Sequence, residues 1–250
     1  MIIVKNSSEL QKIRKSCELS ARTLRLAGEK ITAGISTWEL DRIIREYIER
    51  HGGRPSFLRY RGFRGSACIS VNHELIHGIP SKKKILKDGD IVSVDVGAFL
   101  DGWHGDNAAT FRVGKVSEEA DRLLRVTEEC LYEAIKTARP GNRIGDISNA
   151  IQTYCEGKGF FVVKEYIGHG IGRDLHEAPD IPNFGKAGKG ARLTPGMTIC
   201  IEPMVNQSTS DVKILSDNWT VVEANGNLCA HFEHTIAITE GQPLILTKLN

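Results

Sequence analysis

Two stretches of this chain, GISTWELDRIIREYIERHGG (34–53) and GNRIGDISNAIQTYCEGKGF (141–160), carry one pattern 107 residues apart. Gly34 aligns with Gly141, Leu40 with Ile147, Ile44 with Ile151, Tyr47 with Tyr154 and Gly52 with Gly159. The apolar positions recur at helix spacing, and a glycine follows the end of each run, as a helix C-terminus requires. LKDGDIVSVD (86–95) lies over LTPGMTICIE (193–202) at the same offset, with Gly89 on Gly196, Val92 on Ile199, Val94 on Ile201 and Asp95 on Glu202. The amphipathic stretch 9–31 likewise falls over 116–138, a second helix pair. A shared offset in separate segments leaves few folds open. The chain reads as two halves, about 9–111 and 116–238, each running helix, helix, strands, with a turn and a strand ending in a carboxylate. Joined about a pseudo-two-fold axis, they form one α+β domain with strands inside and helices outside. Asp95 and Glu202 then face each other across the axis.

That placement raises a problem of charge. Ile91, Val92, Val94 and Val96 make the nearly continuous β-branched run of a buried strand, and Asp95 sits inside it. A lone carboxylate there would cost several kcal/mol or be forced to protonate. Asp106, before NAATFRV, and Glu233, before HTIAIT, repeat the situation. Four clustered carboxylates repel one another, whereas two divalent cations cancel their charge. Asp95, Asp106, Glu202 and Glu233 are therefore candidate metal ligands. GHGIGRDLHEAP (168–179) adds His169 and His176, and LIHGIP adds His77. Gly168, Gly170 and Gly172 argue against a helix and for backbone passing close to a neighbour.

Oxygen donors with one imidazole suit Mn, Fe(II) or Co, with Zn also in range. Two bridged metals would activate water for attack on a carbonyl, so the residues point to a dinuclear metallohydrolase. No G-x-S-x-G or G-x-x-x-x-G-K-[ST] occurs in the sequence, which removes the serine-hydrolase elbow and the P-loop. The six cysteines include no C-x-x-C pair and read as reduced thiols of a cytoplasmic protein. A net charge of +2 from 33 basic and 31 acidic residues gives no reason to expect DNA or membrane binding. The N-terminus turns polar after four residues and reads as neither signal peptide nor anchor.

HGIP (77–80), DGWHGDNAATF (101–111), YIGHGIGRDLHEAP (166–179), IEPMVN (201–206) and FEHTIAIT (232–239) together resemble the type I methionine aminopeptidases, in the family's order and across almost the whole chain. The short length resembles the bacterial form. The resemblance implies the pita-bread (creatinase/aminopeptidase) fold, in agreement with the repeat. It implies two divalent cations held by Asp95, Asp106, His169, Glu202 and Glu233, with Asp106 and Glu233 bridging. It implies catalytic roles for Glu202 with the proton of the attacking water, for His176 at the tetrahedral intermediate and the scissile amide, and for His77 at the substrate backbone or in proton transfer. Phe57, Tyr60, Phe63, Cys68 and Trp219 match the family's methionine pocket, where a thioether gains contacts with aromatic rings. Gly97, Ile167 and Leu175 depart from residues common among relatives, which bears on pocket shape.

The expected activity is removal of the initiator methionine from nascent polypeptides whose second residue is small. The expected state is a monomer, with the Lys82–Lys84 turn a candidate surface for the ribosome. Two rival readings share the fold: an Xaa-Pro peptidase, and a non-catalytic binding protein that has lost metal ligands. The first usually carries a further N-terminal domain, and the second lacks ligands that are all present here.

Overall fold

Sequence and local chemistry agree on where each helix starts. In the computed structural model, which describes residues 1–249, α1 (Ser7–Lys30) begins at Asn6, whose side chain accepts from the Glu9 amide while Glu9 accepts from the Asn6 amide. The Ser36 hydroxyl accepts from the Glu39 amide to cap α2 (Thr37–Arg50), and the Ser117 hydroxyl from the Ala120 amide to cap α3 (Glu118–Thr137). Before α4 (Ile144–Gly157), the Asp146 carboxylate accepts from the Arg143 amide at 2.7 Å. Leu40, Ile44 and Ile48 form the buried stripe of α2, and Ile147, Ile151 and Cys155 form that of α4. Each large side chain so buried contributes about 2 kcal/mol.

The strands of the first part are β1 (Arg54–Pro55), β2 (Cys68–Val71), β3 (Glu74–Ile76), β4 (Ile91–Leu100) and β5 (Trp103–Arg112). After the second helix pair come β6 (Phe161–Val162), β7 (Ile167–Gly170), β8 (Glu177–Pro182), β9 (Thr198–Ile201) and β10 (Met204–Asn206). The last are β11 (Val212–Ile214), β12 (Val221–Glu223), β13 (Cys229–His231), β14 (Glu233–Ala237) and β15 (Leu244–Ile245). The central antiparallel sheet runs β1-β4-β5-β14-β9-β7-β8, with β2 added beside β4 and β15 beside β14. Two small three-stranded sheets, β13-β10-β6 and β11-β12-β3, flank it. One apolar cluster joins α1 and α2 to β2 and β4, and another joins α3 and α4 to β9 and β14.

The 107-residue offset recurs in the backbone. Gly89 and Gly196 turn at φ 92° and 90°, a left-handed conformation that a side chain would strain. The bridge Ser36–Ile85 has its counterpart in Arg143–Arg192, and the bond from the Thr37 amide to Lys84 O in that from the Ile144 amide to Ala191 O. The expected strand ends differ. β9 stops at Ile201, because Pro203 follows Glu202 and has no amide hydrogen for the ladder. β4 instead continues past Asp95 to Leu100, paired residue by residue with β5. The 81–87 turn is also less basic than its sequence, since Lys84 is tied to Glu74 at 2.5 Å.

Candidate metal centre and substrate cleft

Register places the carboxylates. Asp95 on β4 pairs with Ala108 on β5, and Ala108 pairs with Glu233 on β14. Asp106 lies two residues from Ala108 and so shares its face. The Thr235 hydroxyl donates to the Asp106 carbonyl at 2.6 Å and fixes β5 against β14 there. Oxygens of Asp95, Asp106 and Glu233 converge to within 4.8 Å of one another.

His169 reaches the group because the glycines beside it let β7 press in. A Cβ on Gly168 would stand 2.4 Å from the Cys200 carbonyl, and one on Gly170 2.3 Å from the Ala178 carbonyl. The His169 Nδ1–H donates to the Gly170 carbonyl at 2.9 Å, which fixes the tautomer. Its lone pair is therefore on Nε2, 3.6 Å from Glu202 Oε1.

Burial without a counter-charge dominates the electrostatics. It pushes the Asp95 carboxyl up to about 7 and that of Glu202 up to about 8. Asp106 and Glu233 are raised well above the ordinary range, first by burial and then by the neighbouring carboxylates. Asp95 Oδ1, Asp106 Oδ1 and Glu233 Oε1 are buried with no hydrogen-bond partner. Native interiors satisfy such atoms, and a buried acceptor left alone costs about 1–3 kcal/mol. Burial also holds His169 at about 4, so its ring is neutral and can donate a lone pair. Unpaired oxygens, mutual repulsion and a neutral imidazole beside Glu202 and Glu233 fit divalent cations.

The cleft beside this group, about 170 Å³, is lined by all twelve residues singled out from the sequence: Phe57, Tyr60, Phe63, Cys68, His77, Asp95, Asp106, His169, His176, Glu202, Trp219 and Glu233. Its apolar end packs Phe57, Phe63 and Cys68 with Ile171 and Leu175. Phe63 meets Trp219 edge-on, with centroids 5.1 Å apart. Gly97 makes room for this wall, since a Cβ there would lie 2.8 Å from the Phe57 ring. The Tyr60 hydroxyl bonds His176 Nδ1 at 2.8 Å, and the His176 ring lies 4.2 Å from that of His169. His77 sits at φ 58°, a conformation costly for a non-glycine residue, and burial brings it down to about 4.

Two residues escaped the sequence reading. Arg61 lines the cleft at its exposed rim. His231 is 2% exposed, has neither ring nitrogen hydrogen-bonded and places Nε2 3.5 Å from Glu202 Oε2. The available signal was its spacing: residues 231 and 233 share one side of an extended chain.

The sequence matches Metallopeptidase family M24 over residues 11–240. It is 54% identical to methionine aminopeptidase 1 of Bacillus subtilis, with 100% of both chains covered. A solved methionine aminopeptidase from Thermotoga maritima superposes with a TM-score of 0.98 at 46% identity over 100% of each chain. The prolidase of Pyrococcus furiosus gives a TM-score of 0.79 at 26% identity, covering 99% of this chain and 66% of that one.

Proposed function

We propose, from the premise that this chain belongs to metallopeptidase family M24, that its cleft hydrolyses the first peptide bond of chains beginning with methionine and a small second residue. The protein has the pita-bread fold and is a metalloaminopeptidase of the methionine aminopeptidase type, which acts on the N-termini of nascent polypeptides and binds divalent metal. One observation carries the assignment to this cleft: buried, unpartnered carboxylates lie directly beside an apolar slot walled by Phe57, Phe63, Cys68 and Trp219.

Asp95, Asp106, His169, Glu202 and Glu233 would hold two divalent cations. When bound, these would supply Lewis acidity toward the scissile carbonyl and lower the pKa of the attacking water. Glu202 accepts the proton of the attacking water and returns it to the leaving amine. Tyr60 Oη lies 2.8 Å from His176 Nδ1; with Tyr60 as the donor, the imidazole proton would be on Nε2, free to donate to the developing oxyanion. His77, held neutral by burial, orients the substrate backbone. The aromatic slot takes the methionine side chain, and the cleft rejects bulky second residues by clash.

The two repeats, 9–111 and 116–238, make one catalytic domain, since the proposed ligands come from both. Manganese, iron(II), cobalt and zinc all suit the donor set. Nascent-chain processing supports a cytoplasmic location; the reading takes the protein as a monomer, and a net charge of +2 gives no reason for a DNA partner. Among the described residues, no helix is long and apolar enough to cross a membrane. For the ribosome, the turn offers the exposed Lys82 and Lys83 rather than three free lysines.

Met-Ala-Ser, Met-Leu-Ser and Ala-Pro-Ala distinguish the readings when assayed after chelation and again with manganese or cobalt restored. Metal-dependent cleavage of Met-Ala-Ser alone is expected. Cleavage of only the proline peptide would move the chain to the prolidase branch. Inactivity on all three with metal bound would favour a binding protein.

A further inference from the structure

We propose that Lys5 is a positioning residue for His176, acting through the buried carboxylate of Glu177. The inference rests on the role given to His176 above. Lys5 Nζ lies 2.5 Å from Glu177 Oε2, and the two side chains are 1% and 4% exposed. An ion pair so far from water is held by geometry and hydrogen bonds rather than by Coulomb attraction alone. The ammonium also donates to the Ile3 carbonyl at 3.1 Å. The other Glu177 oxygen, Oε1, accepts from the Arg173 amide at 2.9 Å and the Asp174 amide at 3.4 Å. One carboxylate therefore closes the 172–177 loop on itself, and His176 is the residue next to it.

The surrounding backbone is shaped around this pair. A Cβ on Gly172 would come within 2.3 Å of Glu177 Oε1 and 2.8 Å of Lys5 Cε. The Gly172 carbonyl accepts from the His104 amide at 2.8 Å, which ties the loop to β5. On the far side, the Arg173 guanidinium stacks 4.5 Å above the Trp103 ring and approaches Glu9 Oε1 at 3.8 Å. The Lys5 amide bonds the Gly196 carbonyl at 2.8 Å. Gly196 turns the chain into β9, which leads to Glu202. The segment at Lys5 thus straps together the loop carrying His176 and the turn before the strand that presents Glu202. Among the described residues, no side chain other than Glu177 bonds the backbone of the 173–176 stretch. The His176 ring itself is held by the single bond from Tyr60.

Two consequences separate positioning from stability alone. Loss of the Lys5 cation frees Glu177 from its place, so the 172–177 loop relaxes and the His176 Nε2 donor moves off the oxyanion. Leu175 of this loop packs at the apolar end of the methionine slot, but the walls Phe57, Phe63, Cys68 and Trp219 stand on other elements, so KM moves far less than kcat. The expected signature is a fall in kcat with KM nearly unchanged. A displacement of about 1 Å at such a donor is worth up to about a hundredfold.

The test uses the full, metal-loaded protein with Lys5→Met, Lys5→Arg and the doubly neutral Lys5→Met/Glu177→Gln. Cleavage of Met-Ala-Ser is measured with cobalt below each variant's melting transition. Imidazole nitrogen resonances are recorded on the zinc-loaded protein. Lys5→Met is expected to lower kcat by about ten- to a hundredfold, shift KM by less than about threefold and move the His176 ring resonances. Lys5→Arg, which keeps a cation, is expected to recover most of kcat. The double variant leaves no lone buried charge, and so folds even where Lys5→Met does not. Its kcat is expected to stay low, because the tether is still missing. Wild-type kcat and unmoved His176 resonances in a folded Lys5→Met or double variant overturn the proposal. Failure of the wild type to cleave Met-Ala-Ser would refute the functional reading instead, and the His176 resonances would still decide the positioning question.

Discussion

Metal uptake by this protein should expel protons, and the structure gives the number. Burial without counter-charge sets Asp95 at about 7 and Glu202 at about 8 in the metal-free protein. At pH 7 the first is then about half protonated and the second about nine-tenths, roughly 1.4 protons between them. Asp106 and Glu233 are also raised well above the ordinary carboxylate range, first by burial and then by their neighbours, and add to that uptake. Ligand carboxylates must be ionised to bind, so loading two cations at pH 7 releases about one to three protons per chain. Calorimetric titration of the stripped protein with manganese, in buffers of different ionisation enthalpy, reads that number as a slope. Stability follows the same protons. A carboxyl whose folded pKa is raised contributes stability fully present below its unfolded value near 4 and lost as pH rises through about 7 to 8. A tenfold change in proton affinity on folding is worth about 1.4 kcal/mol, so the metal-free protein should lose several kcal/mol between pH 5 and pH 8, and the loaded protein should not. A heat independent of buffer at pH 7, with a flat melting profile for the stripped protein, would refute the uncompensated-carboxylate reasoning.

Three further outcomes follow from single side chains. Asp106→Asn removes a carboxyl that folding must keep protonated, so its metal-free form should melt above the metal-free wild type at pH 7 while kcat/KM with cobalt falls about a thousandfold; thermal melts and peptide assays check both. Gly97→Ala puts a methyl 2.8 Å from the Phe57 ring and 2.7 Å from Ser56 Cβ, which should cost about 1–3 kcal/mol and raise KM for Met-Ala-Ser as the slot narrows. Tyr60→Phe deletes the bond to His176 Nδ1 and should lower kcat/KM about fivefold, the worth of one hydrogen bond, measurable on the same peptide.

Much of this was legible because it is periodic. Leu40, Ile44 and Ile147, Ile151 announce the helices by spacing, and the constant offset to Asp95 and Glu202 announces that the two parts correspond. Carboxylates inside β-branched runs point to the proposed metal group because burial makes their charge untenable alone. Strand ends were less legible, since Pro203 halts β9 whereas nothing halts β4 at Asp95. His231 lies in CAHFEH, where a histidine alternating with apolar residues looks like any strand position; only the sheet order brings it to Glu202. The Lys5–Glu177 pair spans 172 positions, and no local pattern encodes a contact made by packing.

The central claim is that these buried carboxylates exist to hold two cations. Anomalous diffraction from crystals soaked in manganese tests it most directly. Two peaks are expected, roughly 3.5–4 Å apart, with Asp106 and Glu233 between them and His169 beside one. No anomalous peak among these carboxylates, in crystals shown to bind manganese elsewhere, would contradict the account.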